Sequence, residues 1–356
     1  MKISIVVPIY NAERFLRSTL DSLLAQTLCD IEIVCVNDGS SDSSLQILEE
    51  YASREPRVVV VDSVNGGVSR ARNKGIEIAK GEYIGFMDAD DMATPKMYER
   101  LFALAMEHNA DIAEMSYCRI PENVKSVSEV DLKSSKVLPG YQGVKVSDNP
   151  WKSFVALHKK YSGGLVSPIW HRIYKADIAK QCFFLEDIQP GEDTFFNLMA
   201  FLRARRYVFS SEIGLLYRQN SASASNGDWR KVISKNIAGR ERIIRYFLEK
   251  GGKVDDRLLE CVTRELVSWP LKMCNKYGTY DDKVNLARCF QRLRKDGVLC
   301  LRRLPLSKRL RAFLLMRSAA WGGAIMRCHS LKFSIVIPCF NNSRYLPYVL
   351  TAHCAI

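Results

Sequence analysis

The first 120 residues alternate between short apolar runs and amphipathic stretches. Strands buried on both faces are predicted for the apolar runs at residues 3–7, 31–36, 58–61, 83–87 and 111–116. Helices are predicted between them, at residues 13–26, 43–51, 68–79 and 96–108. This alternation is typical of βαβ units, so we expect an α/β fold with a doubly wound, mostly parallel sheet flanked by helices.

The regular pattern fades after residue 118, and three regions of the chain are expected. Residues 119–149 predict a long loop or lid, and regular elements return at 151–160, 169–178 and 194–205. From residue 231 onward the chain is mostly helical and basic. We therefore expect a first domain at 1–228 and a helical basic extension at 229–330.

The last part of the chain repeats its beginning. Residues 332–350 match residues 2–20 at nine of nineteen positions, with a constant offset of 330. The segment 331–356 therefore predicts the start of a second copy of the first domain. One strand and part of a helix cannot bury a core of their own.

The beginning of the chain is acidic, whereas the remainder is strongly basic. Residues 1–118 hold 11 Lys/Arg and 19 Asp/Glu, a balance of −8, whereas the remainder holds 41 and 20, a balance of +21. A basic region predicts an anionic partner such as membrane headgroups, a lipid phosphate or nucleic acid. Residues 294–327 carry nine Lys/Arg among leucines, which fits a solvated basic helix packed on the domain or a helix at a membrane surface.

The sequence shows neither a targeting signal nor a motif of paired cysteines. The sequence has no uninterrupted run of 18 apolar residues and no secretion signal at its start, so we expect a cytoplasmic protein. Peripheral contact with the inner face of the cell membrane stays open. The eleven cysteines form no C-x-x-C pair, and we expect buried, reduced thiols.

A pair of acids follows the fourth predicted strand. Asp88 and Asp90 lie where a ligand of an open α/β sheet binds, beyond the carboxyl end of a strand. Their oxygens suit Mn²⁺ or Mg²⁺, which would offset the charge of a departing nucleotide diphosphate. Taken alone, such a pair is more often a solvated turn.

Two further loops carry candidate ligand-binding groups. Asp38 ends the second predicted strand and could accept a hydrogen bond from a nucleotide base; the alternative is a group near a helix N-terminus. Gly66 and Gly67 precede a helix on which Arg70 or Arg72 could meet a phosphate. The glycines could equally be simple turn formers.

The order and spacing of four motifs resemble family 2 glycosyltransferases, which have the GT-A fold. The motifs are SIVVPIYN (4–11), VNDGSSD (36–42), NGGVSRARNKG (65–75) and GEYIGFMDADD (81–91). The resemblance implies that Pro8 and Tyr10 line the base and ribose pocket and that Asp38 reads the base. It also implies that Asp88 and Asp90 hold the nucleotide-sugar and the metal.

The resemblance continues through IWHRIYK (169–175), PGEDT (190–194) and LYRQNSASAS (216–225). It implies that Asp193 is the catalytic base, with Glu192 orienting it or a substrate hydroxyl, and that Arg218 lies near the diphosphate. Many relatives carry His where this chain has Asn220. Without the resemblance, Glu192 and Asp193 would fit an exposed first turn of a helix, where carboxylates are favoured.

Together these features predict a metal-assisted, inverting glycosyltransferase of the bacterial surface-polysaccharide type. The donor would be a nucleotide-sugar, with a UDP-sugar expected from the resemblance, and the acceptor a hydroxyl of a saccharide or a lipid-linked molecule. The alternatives are a nucleotidyltransferase-like enzyme and a catalytically inactive nucleotide-sugar-binding protein. A nucleic-acid partner is not expected, because no nucleic-acid-binding motif accompanies the basic charge.

Overall fold

The computed structural model describes residues 1–137, 142–161, 168–188, 190–220, 229–249 and 256–303, with Ala312 and Met316. Over these residues the chain forms strands and helices in alternation. The strands are β1 Ile3–Ile9, β2 Ile31–Asp38, β3 Val58–Ser63, β4 Tyr83–Phe86, β5 Met92–Ala93, β6 Ile112–Ile120, β7 Val144–Ser147, β8 Arg172–Lys175 and β9 Tyr207–Arg218. The helices are α1 Glu13–Leu24, α2 Ser44–Arg54, α3 Val68–Ile78, α4 Met97–Glu107, α5 Pro150–Tyr161, α6 Ala176–Ala179, α7 Glu192–Arg203, α8 Trp229–Glu249, α9 Asp256–Tyr277 and α10 Tyr280–Lys295.

The first half of the sheet is parallel. The order is β3-β2-β1-β4, and β1 pairs in parallel with both β2 and β4. β2 is buried along its whole length, as expected for a strand covered on both faces. The carboxyl ends of β1, β2 and β4 therefore meet at one edge of the sheet, which is where a ligand is expected.

The second half of the sheet is mixed. The order continues β8-β6-β9-β5, with β7 also pairing with β9. β8 runs antiparallel to β4 and to β6, whereas β6 and β9 are parallel. The doubly wound α/β prediction is confirmed; the antiparallel strands are β7 and β8, from the part of the chain after the clear βαβ pattern ends, and the short β5, which pairs with β9. The predicted loop at 119–149 contains β7 and the end of β6.

Helix α3 lies very close to the sheet because Gly75 faces it. A Cβ atom at Gly75 would lie 2.2 Å from Cγ1 of Val6 in β1, a separation that no side chain tolerates. Glycine here lets the backbone of α3 pack directly on the side chain of Val6. This contact fixes the height of α3 above the sheet, and α3 carries Arg72.

The chain divides into two compact units, Met1–Met273 and Cys274–Ile356. Helix α8 therefore belongs to the same compact unit as the sheet, and the domain boundary expected at residue 228 stays a prediction. In the second unit, α10 begins with a capping box between Thr279 and Asp282. The repeat at 331–356 lies outside the described residues.

The sequence predicts that no helix spans a membrane and that the cysteines are mostly buried thiols. Within the described ranges, none of the helices is both long enough and apolar enough to span a bilayer. The described cysteines are all free thiols, and burial raises the pKa of Cys35 to about 12. Most of these cysteines are buried, as expected, and their reduced state stays a prediction.

Candidate active site

The residues predicted to bind the nucleotide lie at the carboxyl edge of the parallel strands. Pro8 lies near the end of β1 and is half-buried, and Tyr10 follows the strand with 56% of its surface exposed. Asp38 ends β2, and Asp88 follows β4. Tyr10 thus presents an aromatic ring to solvent beside the strand ends, where a base or ribose could stack on it.

Asp38 is buried and fixes the turn that precedes α3. One carboxylate oxygen accepts the backbone N–H of Gly66 and the other that of Gly67, both at 2.8 Å. Each carboxylate oxygen has a second lone pair, so contact with a base remains chemically open. Contact between Asp38 and a nucleotide base stays a prediction. In the structure, Asp38 also fixes the start of α3.

Arg72 joins the two predicted halves of the site. Its Nη2 donates to Oδ1 of Asp88 at 2.8 Å, and its Nη1 donates to Oδ1 of Asp193 at 2.8 Å. Glu192 lies further away, at 3.7 Å from Nη1. The guanidinium is buried and also faces the ring of Phe184 at 5.3 Å. Arg72 was predicted to meet a phosphate; it contacts carboxylates here, and the phosphate contact stays a prediction.

Burial and the neighbouring acids shift the pKa values of Arg72 and Asp193. Burial alone would lower the pKa of Arg72, but Asp193, Asp88 and Glu192 outweigh it and raise that pKa. Burial, with the nearby charges of Glu192 and Asp88, raises the pKa of Asp193 to about 7 even though Arg72 opposes the shift. A carboxylate with a pKa near neutrality is suited to accept a proton at physiological pH.

Glu192 and Asp193 form the first turn of α7. Glu192 accepts the backbone N–H of Gly191 through its own Oε2 at 2.9 Å and is 13% exposed. Asp193 is 23% exposed, so a substrate hydroxyl can reach it. Glu192 therefore holds the turn that carries Asp193, and its role in orienting Asp193 or a substrate hydroxyl stays a prediction.

The acidic loop after β4 contains a third acid, Asp91, that the sequence reasoning left without a role. Asp91 is fully buried, its Oδ1 accepts the backbone N–H of Arg218 at 2.8 Å, and its Oδ2 has no hydrogen-bond partner. Burial and the neighbouring acids raise the pKa of both Asp90 and Asp91. The available signal in the sequence was the cluster of three acids, Asp88, Asp90 and Asp91, directly after a buried strand.

Arg218 holds loops together beneath the acidic cluster. Its Nε donates to the carbonyl of Asp90 at 2.7 Å, and its Nη1 donates to the carbonyls of Glu122, at 2.9 Å, and Val124. Its Nη2 donates to the hydroxyl of Ser18 at 3.2 Å. Diphosphate contact by Arg218 stays a prediction, and in this arrangement it would require some of these bonds to be exchanged. Asn220 donates weakly to Asp90 at 3.4 Å.

A buried polar network behind α7 also escaped the sequence reasoning. Glu114 of β6 accepts hydrogen bonds from Arg172 Nε at 2.5 Å and from the hydroxyl of Tyr207 at 2.9 Å, and it contacts His171 Nε2 at 3.1 Å. Arg172 reaches Asn197, one turn after Asp193 on α7, at 3.3 Å. The signal was an acid inside an otherwise apolar strand, since buried charges need partners.

The carboxylates of the loop after β4 are the candidate ligands for a metal ion. Among the residues that the structure describes, no group of three or more His, Cys, Asp or Glu side chains is arranged to hold a metal ion. Mg²⁺ commonly takes only one or two protein carboxylates together with substrate phosphates and water. The raised pKa of Asp90 and the unpartnered oxygen of Asp91 indicate excess negative charge at this loop, which fits a cation brought with a diphosphate.

Comparison with known proteins decides the family. The family model described as Glycosyl transferase family 2 matches residues 4–159. The glycosyltransferase YibD of Escherichia coli is 35% identical over 270 residues, covering 70% of this chain and 73% of YibD. The chain belongs to glycosyltransferase family 2. This family 2 chain is also 34% identical to the glycosyltransferase EpsJ of Bacillus subtilis over 237 residues, spanning 66% of each protein.

Solved structures confirm the predicted GT-A fold of this family 2 glycosyltransferase. The crystal structure of S. aureus TarS 1–349 in complex with UDP-GlcNAc superposes with a TM-score of 0.65. The match covers 91% of this chain and 90% of that one, at 18% sequence identity. At 18% identity this likeness establishes the fold alone. Membership of glycosyltransferase family 2 rules out the alternative of a nucleotidyltransferase-like enzyme.

Proposed function

We propose that this chain transfers a sugar from a UDP-sugar to a hydroxyl of a saccharide or lipid-linked acceptor, with inversion at the anomeric carbon. The observation that carries the proposal is the ion-paired bridge in which Arg72 contacts Asp88 and Asp193. It brings the predicted donor-binding acid and the predicted base to one place. The UDP-GlcNAc complex of TarS supports a nucleotide-sugar donor for this fold.

Asp193 acts as the general base in the proposed reaction. It takes the proton of the acceptor hydroxyl while that oxygen bonds to the anomeric carbon and the bond to the diphosphate oxygen breaks. Because attack comes from the face opposite the leaving group, the anomeric configuration inverts. The raised pKa of Asp193, caused first by burial, supports proton acceptance near neutral pH.

Asp90, together with Asp88, would hold Mn²⁺ or Mg²⁺ when the donor binds. The metal supplies positive charge to the departing diphosphate. Asp88 already pairs with Arg72, whereas the Asp90 carboxylate accepts a long hydrogen bond of 3.4 Å from Asn220, a neutral side chain. Pro8, Tyr10 and Asp38 would frame the nucleoside at the neighbouring strand ends.

Peripheral contact with an anionic membrane, on its inner face, is part of the same proposal. Residues 119–356 carry the +21 balance, and α10 presents exposed basic side chains: Arg288, Arg292, Arg294 and Lys295. Such a surface is attracted to anionic lipids in a salt-dependent manner. Co-sedimentation with phosphatidylglycerol vesicles, compared with phosphatidylcholine vesicles, tests this part; equal binding to both would contradict it.

The function is tested by screening the purified protein against a panel of nucleotide-sugars, with and without Mn²⁺. Thermal stabilisation reports binding, and slow hydrolysis of the donor reports turnover. We expect one UDP-sugar to stabilise the protein strongly only when metal is present. Asp90→Ala should abolish that stabilisation, whereas Asp193→Ala should keep it and lose hydrolysis.

Other outcomes would count against the proposal. Full stabilisation by the donor without metal would remove the metal role of Asp90. Hydrolysis that persists in Asp193→Ala would remove the base assignment. Binding of a donor with no turnover in any condition, with a panel of acceptors present, would favour the inactive nucleotide-sugar-binding alternative.

A further inference from the structure

Helix α8 touches the turn that leads into the base. A Cβ atom at Gly239 of α8 would lie only 2.4 Å from the carbonyl oxygen of Pro190. One residue along the helix, Nη1 of Arg240 lies 3.3 Å from the position of a Cβ at Gly191. The backbone of α8 therefore packs directly against the Pro190–Gly191 turn, with no room for a side chain between them.

Residues further along α8 contact the chain on both sides of the Pro190–Gly191 turn. Nε of Arg242 donates to Oδ2 of Asp187 at 2.5 Å. The ring of Tyr246 meets the ring of Phe195 edge to face, with centroids 5.0 Å apart, and that of Phe183 at 5.7 Å. A single helix thus contacts the chain before and after Asp193.

The Pro190–Gly191 turn is well placed to pass a displacement to the base. Gly191 has φ +130°, a conformation that favours glycine, and its carbonyl accepts the N–H of Phe195 in the first turn of α7. Asp193 lies two residues after Gly191. A misplacement of about 1 Å at a catalytic group can cost about 100-fold in rate.

We propose that α8 is a positioning element for Asp193 and acts through Gly239. This inference rests on the proposed function and adds to it: the helical region after residue 228 contributes to the catalytic unit through α8. Gly239 is a positioning residue, since it touches the turn that carries the base and not the reacting atoms.

The test is Gly239→Ala, assayed for turnover and donor KM with UDP-GlcNAc and Mn²⁺. Alanine raises helix propensity, so a loss of activity would not come from a weakened helix. The new methyl group must displace the Pro190 carbonyl, and we expect kcat to fall about 10- to 100-fold. Donor KM and donor-induced stabilisation should stay within about twofold of wild type, because the donor residues lie on other elements. Ser234→Ala, an exposed position of the same helix, should match wild type in all three measurements.

Wild-type kcat in Gly239→Ala would overturn the proposal, as would equal losses in kcat and donor affinity. If Gly239→Ala does not fold, Tyr246→Leu replaces it, with the same kcat-specific loss expected and unchanged kcat overturning the proposal. Asp193→Asn is run in parallel. Turnover that survives in Asp193→Asn would defeat the proposed function, whereas an inactive Asp193→Asn beside a fully active Gly239→Ala would defeat only the positioning role.

Discussion

Asp88 and Asp193 are held by opposite nitrogens of one buried guanidinium, each at 2.8 Å. The two acids come from distant parts of the chain, one after β4 and one on α7. Arg72 lies between them because α3 packs closely on β1 and its start is fixed by Asp38. The geometry places the predicted donor site next to the predicted base.

Arg72→Lys should uncouple these two acids. Lysine keeps the charge but offers a single point of contact, so it cannot span two carboxylates as a planar guanidinium does. We expect kcat/KM to fall by about 100-fold in a steady-state transfer or donor-hydrolysis assay. Arg54→Lys, at an exposed ion pair with Glu50, is the matched control and should keep full activity. Retention of activity in Arg72→Lys would show that the bridge is dispensable.

The pH dependence of activity should report Asp193. A base acts only when deprotonated, and its pKa is raised to about 7. We therefore expect kcat/KM to fall as pH drops through about 7, with a slope of one proton. An acidic limb near pH 4 would contradict the assignment.

Stability gives an independent check on the same group. Because the folded pKa of Asp193 is raised, its contribution to stability is full below the unfolded pKa, near 4, and is lost as pH rises through about 7. The Tm of the neutral isostere Asp193→Asn, taken relative to that of wild type at the same pH, should therefore be higher at pH 8 than at pH 5. A pH-independent difference in Tm would contradict the raised pKa.

Arg218→Lys separates a structural role from a phosphate-binding role. Lysine leaves some of the carbonyls of Asp90, Glu122 and Val124 unpaired, so we expect a loss of about 2 kcal/mol in unfolding free energy without any donor. Urea denaturation measures this loss. Unchanged stability combined with a large loss of donor affinity would instead show that the guanidinium serves the diphosphate.

Glu114→Gln should destabilise the fold strongly. Although burial opposes its charge, Arg172 and His171 hold the pKa of Glu114 well below its usual range. Removing one partner of a buried ion pair leaves the other uncompensated, at a cost of about 3 to 5 kcal/mol. Glu107→Gln, on the exposed side of α4, should change the unfolding free energy by less than about 0.5 kcal/mol. Equal effects of the two substitutions would contradict this role of Glu114.

The parallel half of the fold could be predicted closely from sequence, because each strand is a continuous apolar run. The strand predicted at 31–36 is Ile31–Asp38, and the helix predicted at 68–79 is Val68–Ile78. The mixed half was less accessible. Strand β7 has exposed valines and, among the described strands, pairs with β9 alone, so its periodicity carries little information about its position.

The sequence named the residues of the candidate site, and their roles stay predictions, but it did not indicate the contacts that the structure shows between them. The family resemblance singled out Asp88 and Asp193 as candidates, yet nothing in the sequence indicated that Arg72 would pair with both. The role of Gly239 was equally hidden, because a close approach between two backbones leaves no periodic signal. Long-range pairing depends on how the elements pack, and a local pattern does not record that.

The most direct test of the central claim measures donor binding and turnover side by side in Asp193→Asn and Asp90→Asn. Calorimetry with Mn²⁺ and the UDP-sugar that the donor panel selects gives Kd, and release of UDP with and without acceptor gives kcat. We expect Asp193→Asn to bind the donor within about threefold of wild type while losing at least about 100-fold in kcat. Asp90→Asn should lose metal-dependent donor binding. Wild-type turnover in Asp193→Asn, or wild-type binding in Asp90→Asn, would contradict a single site in which the two acids divide base and donor roles.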